Sequence, residues 1–126
     1  MKLTDDFCHI RQQADQKYLV AFNAEHWIYK AHFPNHPVTP GVCIMQIAKE
    51  IIEQRVGRRL QITKINNAKF LSIIDPHINN EVWFEFDFRP VAQIDVEAVA
   101  FAYNVLVKIY SVNADVHFSK LSLELQ

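Results

Sequence analysis

The chain has 126 residues, of which 50% are hydrophobic and 21% charged, and its formal net charge at pH 7 is −1. This composition is typical of one globular domain over residues 1–126 and excludes a disordered chain. The nearly balanced charge argues against general nucleic-acid binding, which usually needs a strong basic excess.

The sequence gives no sign of secretion, membrane insertion or metal binding. The segment MKLTDDFCHIRQQ has acids where a secretion signal needs an apolar stretch. No apolar run approaches the roughly 20 residues of a membrane span. Cys8 and Cys43 are too few for a disulfide framework, and the histidines lack metal-ligand spacing. We therefore expect a cytoplasmic protein without a metal or other cofactor, in which Cys43 is a small core residue.

The first predicted element is a strand over residues 17–23, KYLVAFN, whose side-chain pattern fits a strand well enough. Residues 24–39 contain two prolines and are predicted to be irregular. Thr39 then precedes Pro40, a pattern typical of a helix N-cap followed by proline at the first helical position.

A helix of about 16 residues is predicted to follow and to end at Gly57, a residue suited to the C′ position. Apolar residues cover most of its circumference, so we expect it to be buried. After Gly57 the chain predicts strands in LQITKINNAKFL, EVWFEFDF, IDVEAVAFAY, VLVKIYSV and VHFSKLSLEL. One buried helix and five or six antiparallel strands indicate an α+β fold, in which a single sheet curls around the helix.

The predicted helix start is the best candidate for chemistry. The first N–H groups, around Gly41 and Val42, have no partner within a helix and lie at the positive end of its dipole. Gly41 has no side chain to obstruct an approaching anion or oxyanion. His32 and His36 lie just upstream in a proline-rich bend, and histidine is the usual general base near neutral pH. Either histidine is also explained by a hydrogen bond within a turn.

The stretch HFPNHPVTPGVCIMQIAKE resembles the active-site segment of the 3-hydroxyacyl-acyl-carrier-protein dehydratases, the ApeI-like dehydratases among them. That family's pattern is Gly-His-Phe-Pro, two variable residues, Pro, two variable residues and Pro-Gly-Val. Residues 32–34, 37 and 40–42 match it, while Ala31 replaces the glycine. The segment INNAKFLSIIDPHINNEVWFEF resembles a later Ala-Arg-Phe segment of the family, with Lys69 in place of arginine. The resemblance covers roughly residues 17–90.

The resemblance implies a hotdog fold, in which a curved antiparallel sheet wraps a long helix. It also implies a dimer or a multiple of dimers, with active sites at the subunit interface. His32 would be the catalytic base, and the Gly41 N–H would hold the thioester carbonyl. Val42, Phe33 and Pro40 would line the substrate site. The implied reaction removes water from a (3R)-hydroxyacyl thioester on acyl carrier protein, while the pathway, fatty acid or polyene pigment for example, stays open.

One position departs from the family. Where its members carry Glu or Asp, fourteen residues after the histidine, this chain has Gln46, and Glu50 stands where the family often has glutamine. A glutamine amide can hydrogen-bond a hydroxyl but cannot give up a proton. General-acid help is worth roughly 10²–10⁴-fold in rate, so the substitution bears directly on activity.

Three hypotheses follow from this departure. In the first, Glu50, one turn further along the same helix face, supplies the proton. In the second, His32 makes both proton transfers while Gln46 orients the hydroxyl. In the third, the protein is a non-catalytic acyl-binding subunit that pairs with an active paralogue. A hotdog acyl thioesterase is a further alternative, and a solvated stripe of Gln46, Glu50, Glu53 and Gln54 is the simplest structural explanation.

The densest basic cluster consists of Arg55, Arg58 and Arg59, at the predicted end of the helix. Positive charge there complements the helix dipole, which is the commoner reason for such a cluster. Because acyl carrier proteins are acidic, the same cluster is a candidate docking patch for one.

Overall fold

A computed structural model describes residues 2–32, 35–89 and 102–126, apart from the side chain of His32. Its strands and helices follow one another along the chain in the order β1 (Cys8–Ala14), β2 (Lys17–Phe22), α1 (Trp27–His32), α2 (Gly41–Val56), β3 (Ile62–Phe70), β4 (Glu81–Arg89), β5 (Tyr103–Ser111) and β6 (His117–Leu125). Within these ranges no helix is long and apolar enough to cross a membrane.

The described strands form one antiparallel sheet in the order β1-β2-β4-β5-β6-β3. This confirms the prediction of five or six antiparallel strands. The sequence did not predict β1, because most of its residues are polar and exposed and a bulge between Ile10 and Gln12 breaks the alternation. The predicted strand IDVEAVAFAY lies outside the described residues up to position 101.

Helix α2 packs on one face of the sheet. It has 16 residues, as predicted, and ends at Gly57, whose φ of 78° is the left-handed conformation that favours glycine. Its buried side chains share one apolar core with buried residues of β2, β4, β5 and β6. The opposite face is more open, and Val42 is 71% exposed. The apolar composition of the helix had suggested burial around most of its circumference. In the structure the helix is buried on one side only.

Helix α1 was not predicted, since residues 24–39 were expected to be irregular. Two side chains support the turn where it begins. Asn23 accepts a hydrogen bond from the Glu25 N–H at 3.1 Å, and His26 Nδ1 accepts one from the Ile28 N–H at 3.2 Å. Histidine is not among the residues that normally mark a helix start, so the pattern gave no signal.

The start of α2 also differs from the prediction. Pro40, not Thr39, occupies the N-cap, with φ −62° and ψ 145°, and it provides no side-chain cap. The Pro40 carbonyl instead accepts the N–H groups of Cys43 and Ile44. Thr39 is buried, and its hydroxyl pairs with the Tyr29 hydroxyl at 3.0 Å. Thr39 thus lies one residue before the N-cap, and its hydroxyl is directed to Tyr29.

Both cysteines are free and buried in the core, which confirms the prediction for Cys43. Burial raises the pKa of both thiols, and that of Cys8 reaches about 12. Thiols with raised pKa values stay protonated near neutral pH and react slowly.

Candidate active site

The N-terminus of α2 presents backbone donors. The first N–H groups of an α-helix lack partners within the helix, and the N-cap residue here, Pro40, provides no side-chain hydrogen bond to them. Phe70, the last residue of β3, lies over this helix end. A Cβ atom built on Gly41 would come within 2.9–3.2 Å of three carbons of the Phe70 ring. Only glycine lets the ring come this close to the backbone, and the ring itself is half exposed at 48%.

The sheet beneath Phe70 carries a buried hydroxyl. Ser119 of β6 is paired directly with Phe70, so the two side chains lie on the same face of the sheet. Ser119 is fully buried, and its Oγ has no hydrogen-bond partner among the described residues. Sequence reasoning missed both residues. The only available signal for Phe70 was its place after Ala68 and Lys69, in the second segment that resembles the dehydratases.

The histidine of the motif lies at the end of the other helix. The backbone of His32 is the last residue of α1, while its side chain, with Phe33 and Pro34, lies outside the described residues. Tyr29 stands three residues before His32, and Thr39 stands two residues before Gly41. Their hydroxyl contact therefore links the helix that ends at His32 to the helix that begins at Gly41.

Gln46 and Glu50 are in direct contact on α2. The Gln46 amide nitrogen donates a hydrogen bond of 2.8 Å to Glu50 Oε2. The same carboxylate receives the Leu3 N–H on both oxygens, at 3.0 and 2.8 Å. It also receives the Thr4 N–H at 2.9 Å and the Thr4 hydroxyl at 2.8 Å. The two carboxylate oxygens of Glu50 therefore anchor residues 3 and 4, and one of them also fixes the Gln46 amide.

These contacts determine the charge of Glu50, which is only 7% exposed. Burial pushes the pKa of Glu50 upward, but the hydrogen bonds from Leu3, Gln46 and Thr4 outweigh it, so the pKa lies below its ordinary value. A carboxyl group with a lowered pKa is ionised at neutral pH and has no proton to donate. The described contacts thus favour an anchoring role for Glu50 over the proton-donor role of the first hypothesis.

Replacing Glu50 with glutamine should destabilise the protein by about 2 kcal/mol at pH 7, because an amide group presents a donor where Leu3, Thr4 and Gln46 all donate. Since the folded pKa is depressed, the stabilisation is present above the unfolded pKa of about 4.3 and is lost as the pH falls through the folded value. Urea unfolding at several pH values measures this. The difference in stability between the two proteins should begin to shrink below about pH 4.3 and should disappear only below the folded pKa of Glu50, and a constant difference across pH would contradict the anchoring role.

The polar stripe expected along α2 is only partly solvated. Gln54 is exposed, as a solvated stripe requires. Glu53 is half-buried and accepts the Leu60 N–H at 2.8 Å, while Glu50 is buried. The stripe interpretation is therefore wrong for Glu50.

A groove of about 1040 Å³ runs beside this stripe and carries mixed charge. Gln46 and Glu50 line one part of it, and Arg58 and Arg59 line another. Arg55 does not line the groove. Its guanidinium donates to the Asp15 carbonyl at 3.0 Å and to the Tyr18 hydroxyl at 3.3 Å. Of the three arginines, therefore, Arg58 and Arg59 share a groove with Gln46, while Arg55 does not.

In the parts of the chain that the structure describes, no group of three or more His, Cys, Asp or Glu side chains comes together in the way a metal ion would need. The candidate site instead consists of the backbone donors at the start of α2, the Gln46 amide, the Glu50 carboxylate and the Phe70 ring.

The chain is similar in sequence to known dehydratases. A family model described as ApeI-like, ApeI dehydratase, matches residues 9–111. The chain is 32% identical over 99 residues to the 3-hydroxyacyl-[acyl-carrier-protein] dehydratase FabZ of Wolbachia pipientis wMel, covering 64% of this chain and 66% of the relative. It is 33% identical over 92 residues to the enzyme of the same name from Gluconobacter oxydans strain 621H, covering 57% and 53%. The chain thus spans less than two thirds of the length of either relative.

Among solved structures, the dehydratase heterocomplex ApeI:P from Xenorhabdus doucetiae is similar, with a TM-score of 0.63 and 16% identity over 93% of each chain. The HP0420 homologue from Helicobacter felis gives a TM-score of 0.64 and 10% identity over 97% of this chain and 88% of that one. At such identities the likeness concerns the fold alone, and it supports the predicted α+β hotdog arrangement.

Proposed function

Because the chain belongs to the family of ApeI-like dehydratases, we propose that it removes water from a 3-hydroxyacyl thioester carried on acyl carrier protein and yields a trans-2-enoyl thioester. The observation that supports this most directly is the placement of the motif on two adjacent helix ends. His32 ends α1 and Gly41 begins α2, and a hydroxyl pair links the segments that carry them. A histidine at the end of one helix and a backbone donor at the start of the next are the groups that proton abstraction next to a thioester carbonyl needs.

The reaction then follows from these groups. The thioester carbonyl accepts a hydrogen bond from the Gly41 N–H at the positive end of α2, which acidifies the protons on C2. The His32 imidazole removes one C2 proton and becomes imidazolium. The electron pair left on C2 forms the C2–C3 double bond, and the C3–O bond breaks. The departing hydroxyl takes up one proton and leaves as water.

We assign that last proton to the imidazolium, which is the second of the three hypotheses. Gln46 cannot supply it, and Glu50 is held ionised by its hydrogen bonds. The Gln46 amide is fixed by Glu50 at 2.8 Å and so can orient the C3 hydroxyl without spending much conformational entropy. The proton removed from C2 then returns on the leaving oxygen, so that His32 ends the cycle neutral.

The direct experiment is to add the unmodified protein to a trans-2-enoyl thioester and follow loss of the enoyl absorbance as water adds to the double bond. Hydration at a rate proportional to protein concentration supports the proposal. Release of free thiol without hydration would instead identify a thioesterase. Stable binding of the thioester without any turnover would point to a binding subunit.

The binding-subunit alternative is favoured by one observation, Gln46 in place of the family's carboxylate. The structure of the ApeI:P heterocomplex, which has a similar fold, makes pairing with a different subunit a concrete form of this alternative. Turnover by the isolated chain would exclude it, and turnover that requires a second subunit would support it.

We propose that the protein acts as a homodimer or a multiple of dimers, or as a heterodimer with a paralogue. Strand β3 is the last strand at one side of the described sheet, and most of its residues are exposed. Apolar side chains on and just beyond it, Ile65, Leu71 and Ile73, are 48–67% exposed. An open strand edge with exposed apolar residues beside it is suited to pairing with a second subunit.

Docking of the acidic carrier protein is expected to depend on Arg59 and Arg58, which line the groove that contains Gln46, and less on Arg55. Substitution of Arg59 by glutamine should raise the KM for a carrier-bound substrate roughly tenfold at low salt, and less at high salt because the attraction is screened. Arg55→Gln is the matched control, since the Arg55 guanidinium is engaged with Asp15 and Tyr18. Equal effects of the two substitutions, or none at Arg59, would place docking elsewhere.

A further inference from the structure

We propose that Tyr29 and Thr39 are positioning residues for the reaction, whose hydroxyl pair sets the distance between the catalytic histidine and the start of α2. This inference rests on the proposed function, since it concerns the same site. The contact is 3.0 Å long and joins a residue of α1 to the residue that precedes Pro40. Neither hydroxyl contacts the substrate in this proposal, and both act through the backbone.

Tyr29 and Thr39 can affect the site because each is close in sequence to one of its two residues, His32 and Gly41. Tyr29 lies about one helical turn before His32, so a shift of Tyr29 moves the end of α1 with it. Thr39 lies two residues before Gly41, with only Pro40 between them. The restricted φ of proline transmits the position of Thr39 to the first residue of α2. The pair thus bridges the two ends of the bend that carries the family motif.

The rest of the fold holds both partners in place. The Thr39 N–H donates to the Ile74 carbonyl at 2.9 Å, in the segment that follows β3. The Tyr29 ring stacks on Phe7, with centroids 5.0 Å apart and an interplanar angle of 19°. Tyr29 is 2% and Thr39 4% exposed, and Phe7 is fully buried. Because neither side chain is free to move, the hydroxyl pair fixes one distance with little further loss of entropy.

Packing alone does not require this pair. A buried phenylalanine opposite a valine would fill nearly the same volume, and replacing both partners of a buried hydrogen bond by apolar groups is often nearly neutral for stability. The hydroxyl pair adds a directional contact that fixes the distance between Tyr29 and Thr39. Burial raises the pKa of Tyr29 despite the hydrogen bond to Thr39, so the phenol stays protonated wherever a histidine titrates. The link therefore persists across the working pH range of the proposed base.

The test compares Tyr29→Phe, Thr39→Val and the double variant in enoyl-thioester hydration, with kcat and KM measured separately. Each single variant is expected to lower kcat about tenfold while KM changes less than about twofold, because misplacement affects the chemical step more than binding. The double variant is expected to be no slower than either single one, since both substitutions remove the same contact. Thr39→Ser keeps the hydroxyl and should restore most of kcat.

Tyr18→Phe is the matched control, because Tyr18 is equally buried but its hydroxyl faces Arg55 on another part of the molecule. It should leave kcat and KM unchanged, while Tyr29→Phe should lower kcat about tenfold. If Tyr29→Phe and Thr39→Val fold and keep the kcat of the unmodified protein, the positioning role is wrong. If one of them fails to fold, the other and Thr39→Ser decide. Absence of turnover in the unmodified protein would instead refute the proposed function, and with it any positioning role.

Discussion

Replacement of His32 by alanine should reduce enoyl-thioester hydration by at least about 10³-fold, since the proposed mechanism assigns both proton transfers to this imidazole. Because the proposed reaction starts from the neutral imidazole, kcat/KM should fall as this histidine becomes protonated in acid and should level off at higher pH. The measurement is kcat and kcat/KM for the purified variant from pH 5 to 9. The fold should be unaffected, as thermal unfolding can verify.

His36→Ala is the matched control for this experiment. His36 lies in the same bend, is exposed, and was the other histidine that the sequence brought close to the helix start. It should retain turnover within about twofold of the unmodified protein, as expected for a surface substitution. A large loss at His36 with full activity at His32 would reverse the assignment of the base, and full activity in both variants would refute histidine catalysis at this site.

Substitution of Gln46 by glutamate should raise turnover, by about ten- to a hundredfold. The new carboxyl group would lie against Glu50. The Glu50 carboxylate is ionised and already accepts hydrogen bonds from the N–H groups of Leu3 and Thr4. Two carboxylates in contact cannot both be charged at low cost, so the pKa of the new group is raised and it keeps its proton near neutral pH. It can then protonate the departing hydroxyl, a step that the amide of Gln46 cannot perform.

Gln46→Leu is the control of similar size without polar atoms. It should lower turnover below that of the unmodified protein, because the C3 hydroxyl then has no hydrogen-bonding partner at this position. An unchanged rate in Gln46→Glu would mean that proton delivery from His32 is not limiting. An unchanged rate in Gln46→Leu would remove position 46 from the mechanism altogether.

Most of the helices and strands could be predicted from the sequence because their hydrophobic patterns and end signals were strong. Strand β4 alternates in period two, and α2 ends at a glycine after 16 residues without a breaker. Two elements were not accessible. The edge strand β1 pairs on one side only, so most of its side chains are polar and exposed, and no periodicity marks it. The short helix α1 depends on a histidine cap that local rules do not include.

The residues of the candidate site could be predicted from the sequence, but most contacts between them and the rest of the chain could not. The resemblance identified the motif and the exchange at positions 46 and 50, and the sequence alone placed these two residues on one helix face. It gave no indication that Leu3 and Thr4 donate to Glu50, because these partners are 47 and 46 residues apart in the chain. That long-range contact decides whether the carboxyl group holds a proton. The roles of His32 and Phe33 remain predictions, since the His32 side chain and Phe33 lie outside the described residues.

The bond network around Glu50 turns two backbone amides into reporters of the site. The amide protons of Leu3 and Thr4 share one acceptor with the Gln46 side chain. Their NMR chemical shifts should therefore respond when an acyl thioester engages Gln46, although neither amide touches the ligand. In hydrogen–deuterium exchange, the same two amides should lose protection in acid before the sheet does, as the shared carboxylate is neutralised.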